Sequence, residues 1–375
     1  MMSLASKAGR AGRAWKALQT RSLSAATTDK VGPTSASTST STSTTTTTTS
    51  AAGGTKEDHG PAHLYDVTPR DGIQNEKTVL SVDQKIQLLE LIAESNPSAI
   101  EVCSFVREDL VPAMAGAADL CDALRESEWA KAAKGRGMRF GGLVPNLRGY
   151  ESFRKAGMAR GADSPAVLDF ITCLVSCTES HSKANVRMSI KDAMAMTQKV
   201  AQSATSDGFG VRGYASLAFE CPFEGIVDMD VVLRVVDMYM GVDAEVIVLA
   251  DTLGQTNPEH VYQLVTRAAR HFPIERLGLH MHNANSRAAE NVMAGAELGV
   301  RHIDSSIGGA GGCNFIPDAK GNISTEAVLA VMAHLGIPHS MDESAMQRAN
   351  AFLAKSLSRE LEGPTKLDFL QAAAN

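Results

Sequence analysis

Between Ala62 and Gly336 the sequence switches eight times from a short apolar, β-branched run to a longer stretch with helical spacing. The runs expected as strands are His63–Thr68, Ala99–Ser104, Arg139–Val144, Leu168–Val175, Gly210–Ala218, Glu245–Ala250, Leu277–His282 and His302–Ser306. The helices expected after them begin at Ser81 and then cover Val111–Arg125, Leu147–Ala156, Ser189–Ser203, Met229–Tyr239, Pro258–His271, Ser286–Leu298 and Thr325–Leu335. At the first, Ser81 and Gln84 have the spacing of a capping box, and Val82, Ile86 and Leu89 fall on one apolar stripe. Eight strands alternating with eight helices predict an α/β fold, a (β/α)8 TIM barrel. A doubly wound open sheet is the competing arrangement. It is disfavoured because no Gly-x-Gly-x-x-Gly turn follows the first strand.

In such a barrel the chemistry sits at the C-terminal ends of the strands. Polar residues fall there: Arg70, Asp71, Glu101, Ser104, Asn146, Glu179, Glu220, Asp251, Thr252, His280, His282 and Ser305. Loops are polar in any case, so the residue types matter more than their number. His280 and His282 are two apart on an expected strand and should face one way, into the barrel mouth. Asp71, just past the first strand, can reach the same place, since the eighth strand alone separates strands one and seven. Asn322, on the loop after strand eight, completes an Asp/His/His/Asn set. Two oxygens and two nitrogens without a thiolate suit Mg²⁺ or Mn²⁺ with positions left for a substrate. Zinc stays open, because imidazole suits it as well.

The segment Gly308-Gly309-Ala310-Gly311-Gly312-Cys313 lies nine residues before Asn322. Glycines let a backbone take positive φ and approach a ligand, and a cysteine at the end of such a loop can give or take a proton. A divalent ion beside Arg70 would stabilise an enolate. That combination points to retro-aldol cleavage of a C–C bond, with Cys313 as mobile acid/base and Glu101 and Asp251 orienting groups or relaying protons. The plainer readings are that Glu101 pairs with a base across the barrel and that Asp251 caps the helix that follows.

Composition bounds the rest. Of 375 residues, 44% are hydrophobic and 21% charged, enough for one large core. The net charge is -6 and the pI about 5.9, with Lys and Arg dispersed after residue 60, so no nucleic-acid partner is expected. No apolar run reaches the roughly 18 residues of a membrane span. The six cysteines form no Cys-x-x-Cys pair, which argues against a disulfide framework or a zinc ribbon. Residues 1–30 differ in kind. Lys7, Arg10, Arg13, Lys16, Arg21 and Lys30 face a single acid, Asp29, with Leu4, Ala11, Trp15 and Leu18 interspersed. That is the composition of a transit peptide, and a disordered basic tail is the plainer alternative. The mitochondrial matrix is the expected location, with plastid and cytosol as alternatives. Residues 31–60 contain an almost pure Ser/Thr tract and are expected as linker. The barrel is expected over 61–338. One extra helix, Met341–Leu361, and a short tail make up 339–375, too little for an effector domain.

The stretch Asp66-Val-Thr-Pro-Arg70-Asp71-Gly72-Ile-Gln74-Asn75-Glu76-Lys77 resembles the signature at the first strand of 3-hydroxy-3-methylglutaryl-CoA lyases. These are metal-dependent TIM-barrel enzymes related to the isopropylmalate and homocitrate synthases. Ile100–Val102, Ser104–Val106, Leu143–Asn146, Cys221–Gly225, Asp251-Thr252 and Gly308–Glu326 also look like the lyase branch, so the likeness runs from about His63 to Gly336. The Gly-rich loop with Cys313, and Asp71-Gly72-Ile73-Gln74 in place of the usual Asp-Gly-Glu-Gln, separate this chain from the synthases. The resemblance implies a metal held by Asp71, His280, His282 and Asn322, an enolate stabilised by Arg70, and Cys313 as the acid/base on the loop of Gly308, Gly309, Gly311 and Gly312. It implies support from Glu101 and Asp251, and substrate contacts from Arg70, Gln74, Lys77, Ser104 and Thr252. The implied substrate is an acyl-CoA, cleaved to acetyl-CoA and acetoacetate, and the resemblance allows a homodimer. The chain departs from the family's pattern at Asn283, where the lyases commonly have aspartate, at Thr178–Ser182, and at Asn314-Phe315-Ile316. A lyase for another 3-hydroxy-3-alkylglutaryl-CoA and an acyl-CoA condensing enzyme are the alternatives within enzymes. A catalytically silent binding barrel is the alternative outside them. Retention of Arg70, Asp71, both histidines, Cys313 and Asn322 argues against silence.

Overall fold

The computed structural model describes residues 59–159, 165–312, 321–363 and 367. The expected transit peptide, nearly all of the expected linker, and Cys313 lie outside the described residues. Eight parallel strands form a closed barrel: β1 (His63–Asp66), β2 (Ala99–Ser104), β3 (Arg139–Leu143), β4 (Phe170–Ser176), β5 (Gly210–Ser216), β6 (Val246–Asp251), β7 (Leu277–Met281) and β8 (His302–Ser305). Each pairs with the next in sequence, and β8 closes on β1 with His63 opposite His302 and Asp66 opposite Ser305. The open-sheet alternative is thereby excluded.

The helices follow the expected order: α1 (Val82–Glu94), α2 (Ala117–Glu126), α3 (Glu128–Gly135), α4 (Leu147–Gly157), α5 (Glu179–Val186), α6 (Ile190–Ser206), α7 (Met229–Gly241), α8 (Pro258–Ala269), α9 (Ala288–Glu297), α10 (Thr325–Leu335) and α11 (Glu343–Leu357). The short helices α3 and α5 were not expected. Ser81 caps α1 as anticipated: its hydroxyl accepts from the Gln84 amide at 3.2 Å, and the Gln84 side chain accepts from the Ser81 amide at 3.0 Å. The buried face of α1, however, is Lys85, Leu88, Leu89, Ile92 and Ala93, so Val82 and Ile86 sit at its margin. Lys85 belongs to that face because its ammonium reaches out to donate to the Ala115 carbonyl at 2.8 Å while its stem stays covered. The helix expected from Val111 starts instead at Ala117, because Gly116 breaks the chain with φ +84°.

Strands β1, β3, β5, β7 and β8 end one or two residues earlier than expected, and the ends of β1 and β7 shape the mouth. After β1, Pro69 cannot continue a ladder. The chain coils into a π-helical turn, Thr68–Gly72, in which the Asp71 and Gly72 amides both donate to the Val67 carbonyl. Such turns gather at functional sites. Strand β7 ends at Met281, and His282 lies just beyond it, bridged to Asn322. Inside the barrel, Tyr65, Val67, Phe170, Tyr214, Val246, Val248 and Ala250 form a packed layer. Gly141 opens space for the Phe170 ring, which a Cβ there would meet at 2.2 Å.

Candidate active site and metal centre

The π-turn and the end of β7 converge. Asp71 Oδ2 lies 3.5 Å from His282 Nε2 and 3.7 Å from His280 Nε2, and the two Nε2 atoms are 3.2 Å apart. The donor atoms of these three residues all fall within 4.8 Å of one another. Behind them, His280 Nδ1 faces Asp304 Oδ2 at 3.2 Å. A carboxylate is an acceptor, so Nδ1 carries the proton and Nε2 turns its lone pair into the cluster. Burial lowers the pKa of His282, which favours its neutral form. Two imidazole nitrogens and a carboxylate aimed at one point, with a second carboxylate orienting one ring, fit a divalent cation. The Asn322 amide nitrogen donates to Asp71 Oδ2 at 2.9 Å and to the Ala310 carbonyl at 3.2 Å, which places this fourth expected ligand beside Asp71.

Arg70 sits between two carboxylates. Its Nε donates to Glu101 Oε2 at 2.6 Å, and its Nη1 donates to Asp71. Burial alone would favour the neutral form of each group, but the pairing decides otherwise for two of them. Asp71 is held well below the usual carboxylate range by the Arg70 guanidinium and the imidazoles, and Arg70 is raised above its ordinary value by Asp71 and Glu101. For Glu101 burial prevails over Arg70 and its pKa is raised. Glu101 is thus paired with a base, Arg70, which lies just past the neighbouring strand β1.

The other expected residues take varied positions. Both Asp251 oxygens accept backbone amides of the following loop, from Gly254 at 2.9 Å and Thr256 at 3.0 Å, and burial pushes its pKa up to about 6. Thr252 shares a 3.1 Å hydrogen bond with Ser216 at the end of β5. Ser104 is buried at the end of β2, and its hydroxyl has no hydrogen-bond partner among the described residues. Gln74 is half-buried beside the π-turn, and Lys77 is exposed three residues on. Gly308, Gly309 and Gly311 have φ of +60°, +65° and +126°, and the Gly312 carbonyl accepts from the Asn75 side chain. Asn146 and Asn283 accept amides of the helices they precede, α4 and α9.

The sequence reading missed the network beneath the cluster. Asp304 on β8 accepts from Arg212 Nη2 at 2.5 Å and from the Tyr214 hydroxyl, in addition to His280. The Arg212 guanidinium also stacks 4.2 Å from the centre of the Tyr65 ring. The available signal was an arginine and an aspartate in the middle of two strands, where a charge is buried only when paired.

Residues 62–353 match the model of one protein family, described as HMGL-like. The chain belongs to the HMGL-like family. It is an enzyme, a carbon–carbon lyase. This HMGL-like chain is 31% identical over 296 residues to the cytoplasmic 3-hydroxy-3-methylglutaryl-CoA lyase of Mus musculus, covering 79% of this chain and 81% of that one. It is 32% identical over 300 residues to the (R)-citramalyl-CoA lyase of Chloroflexus aurantiacus, covering 80% and 92%. Among solved structures, an HMG-CoA lyase of Acinetobacter baumannii in complex with coenzyme A and 3-methylmalate superposes with a TM-score of 0.73 at 28% identity, covering 84% of this chain and 96% of that one.

Proposed function

We propose that this barrel cleaves 3-hydroxy-3-methylglutaryl-CoA to acetyl-CoA and acetoacetate, as in leucine breakdown and ketone-body formation. Asp71, His280, His282 and Asn322 would hold a divalent cation, Mg²⁺ or Mn²⁺. The observation that carries the reading is the convergence of Asp71, His280 and His282 beside an Arg70 already fixed by Glu101. The cation would supply Lewis-acid polarisation of the substrate's hydroxyl and carbonyl oxygens. Cys313, as thiolate, takes the C3 hydroxyl proton, and the C2–C3 bond breaks with its electron pair passing to the thioester as an enolate. Arg70 offers a fixed positive charge to that enolate oxygen. Cys313, carried on the loop that starts at Gly308, returns a proton to C2. Gln74, Lys77, Ser104 and Thr252 are proposed as substrate contacts, and Asp251 holds the loop on which Thr252 lies.

The test is acetoacetate release from 3-hydroxy-3-methylglutaryl-CoA, with and without Mg²⁺ or Mn²⁺. Metal-dependent release is expected. No release from protein shown to bind the metal would sink this substrate. Asp71→Asn should weaken metal activation strongly, and an unchanged metal titration would remove Asp71 from the ligand set. A second substrate is favoured by the likeness to a citramalyl-CoA lyase. Citramalyl-CoA has one methylene fewer between the carbinol carbon and the free carboxylate, and the same bond cleavage would release pyruvate, so the two readings separate on product. Residues 1–30 are proposed as a mitochondrial targeting segment. Fused to a fluorescent reporter they should direct it to mitochondria, and a cytosolic reporter would reject that reading.

A further inference from the structure

The base of the glycine-rich loop is gripped from both sides. On one side, the Gly308 amide donates to Glu326 Oε2, in the first turn of α10, at 2.9 Å. On the other, the Gly308 carbonyl accepts from the Glu362 amide at 3.0 Å. Glu362 comes from the segment after α11, where the chain reverses at Ser358 with φ +54° and runs back across the loop. Asn350, on α11, joins the two grips: its amide nitrogen donates to Glu326 Oε1 at 2.7 Å and to the Glu362 carbonyl at 2.7 Å. Arg359 ties the same segment to Glu76, just past the π-turn. The contact is close enough that a Cβ on Gly308 would lie 2.6 Å from Leu361 Cβ.

Two residues further on, the Ala310 carbonyl accepts from Asn322 Nδ2, and that same nitrogen reaches Asp71 Oδ2. A continuous hydrogen-bonded and covalent path therefore runs from α11 to the metal cluster. We propose that Asn350 is a positioning residue. It clamps the C-terminal segment onto Gly308, and through Ala310 it fixes the Asn322 amide against Asp71. This rests on the reading that Asp71 and Asn322 hold the metal. Asn350 itself touches neither the cluster nor its ligands in any hydrogen bond described above.

The test is Mn²⁺ binding to the full chain, read from the loss of the free-ion resonance signal and independent of turnover. Asn350→Leu keeps the side chain's branched outline and removes both donors. Orienting partners of metal ligands typically change affinity 10- to 100-fold, and a loss of roughly tenfold is expected here, at the lower end because the path is indirect. In an Asn322→Ala background the same substitution should cause no further loss, since coupled sites are non-additive. Unchanged Mn²⁺ affinity in Asn350→Leu, or an equal further loss in the Asn322→Ala background, would overturn the proposal. If Asn350→Leu does not fold, a chain ending at Ser358 decides instead: weaker Mn²⁺ binding supports the clamp and wild-type binding refutes it. Failure of the metal reading looks different, because Asp71→Asn would then bind Mn²⁺ as the unaltered chain does.

Discussion

At the scale of single residues, Asp304 links stability to the Asp71–His280–His282 cluster. It is fully buried and accepts from Arg212, Tyr214 and His280. Asp304→Asn would leave the Arg212 guanidinium without its counter-charge and would let the His280 ring choose either tautomer. Breaking a buried pair from one side costs about 3–5 kcal/mol, so a large drop in the denaturant midpoint is expected, with weaker metal binding in whatever stays folded. A variant as stable as the parent would mean that Arg212 finds another partner. The convergence of His280 and His282 with Asp71 was legible because two histidines at i and i+2 carry their geometry with them. Asp304 and Arg212 were not legible, because β5 and β8 meet across the barrel and spacing along one strand says nothing of that pairing.

At the scale of elements, strand positions were legible from the apolar runs, and the ends were set by things a period cannot express. The π-turn after β1 follows from one proline and one overloaded carbonyl, Val67. The buried stripe of α1 is displaced because a lysine can be covered while its charge escapes. Close packing between α7 and β5 offers a test of this layer. A Cβ on Gly213 would meet the Tyr239 ring at 2.3 Å, and that ring is anchored by its hydroxyl donating to the Cys173 carbonyl at 3.0 Å. Gly213→Ala should therefore destabilise the fold by about 1–3 kcal/mol, the usual cost of overpacking. An unchanged urea midpoint would show that the ring can swing away at no cost.

For the molecule as a whole, buried titratable groups act on pH stability in opposite directions. His181 is buried and His260 and His302 are half-buried; burial lowers all three, so the unfolded chain gains protons first and stability rises with pH through about 6.5, the ordinary histidine value. Asp66 works the other way. Burial raises its carboxyl from 3.8 to about 7, against hydrogen bonds from Thr68 and with repulsion from Glu326. Its second oxygen has no hydrogen-bond partner among the described residues. The folded chain keeps this proton where the unfolded chain has released it. The contribution is therefore fully present below pH 3.8 and is lost as pH rises through about 7. The histidine gain therefore fades as pH passes 6.5, while the loss from Asp66 continues through about 7. Asp66→Asn keeps the neutral shape without the titration, so its stability relative to the parent should increase from pH 5 to pH 8 and level off beyond. Parallel unfolding profiles for the two proteins over that range would mean that Asp66 is ionised in the fold, with a partner that its buried position beside β8 does not supply.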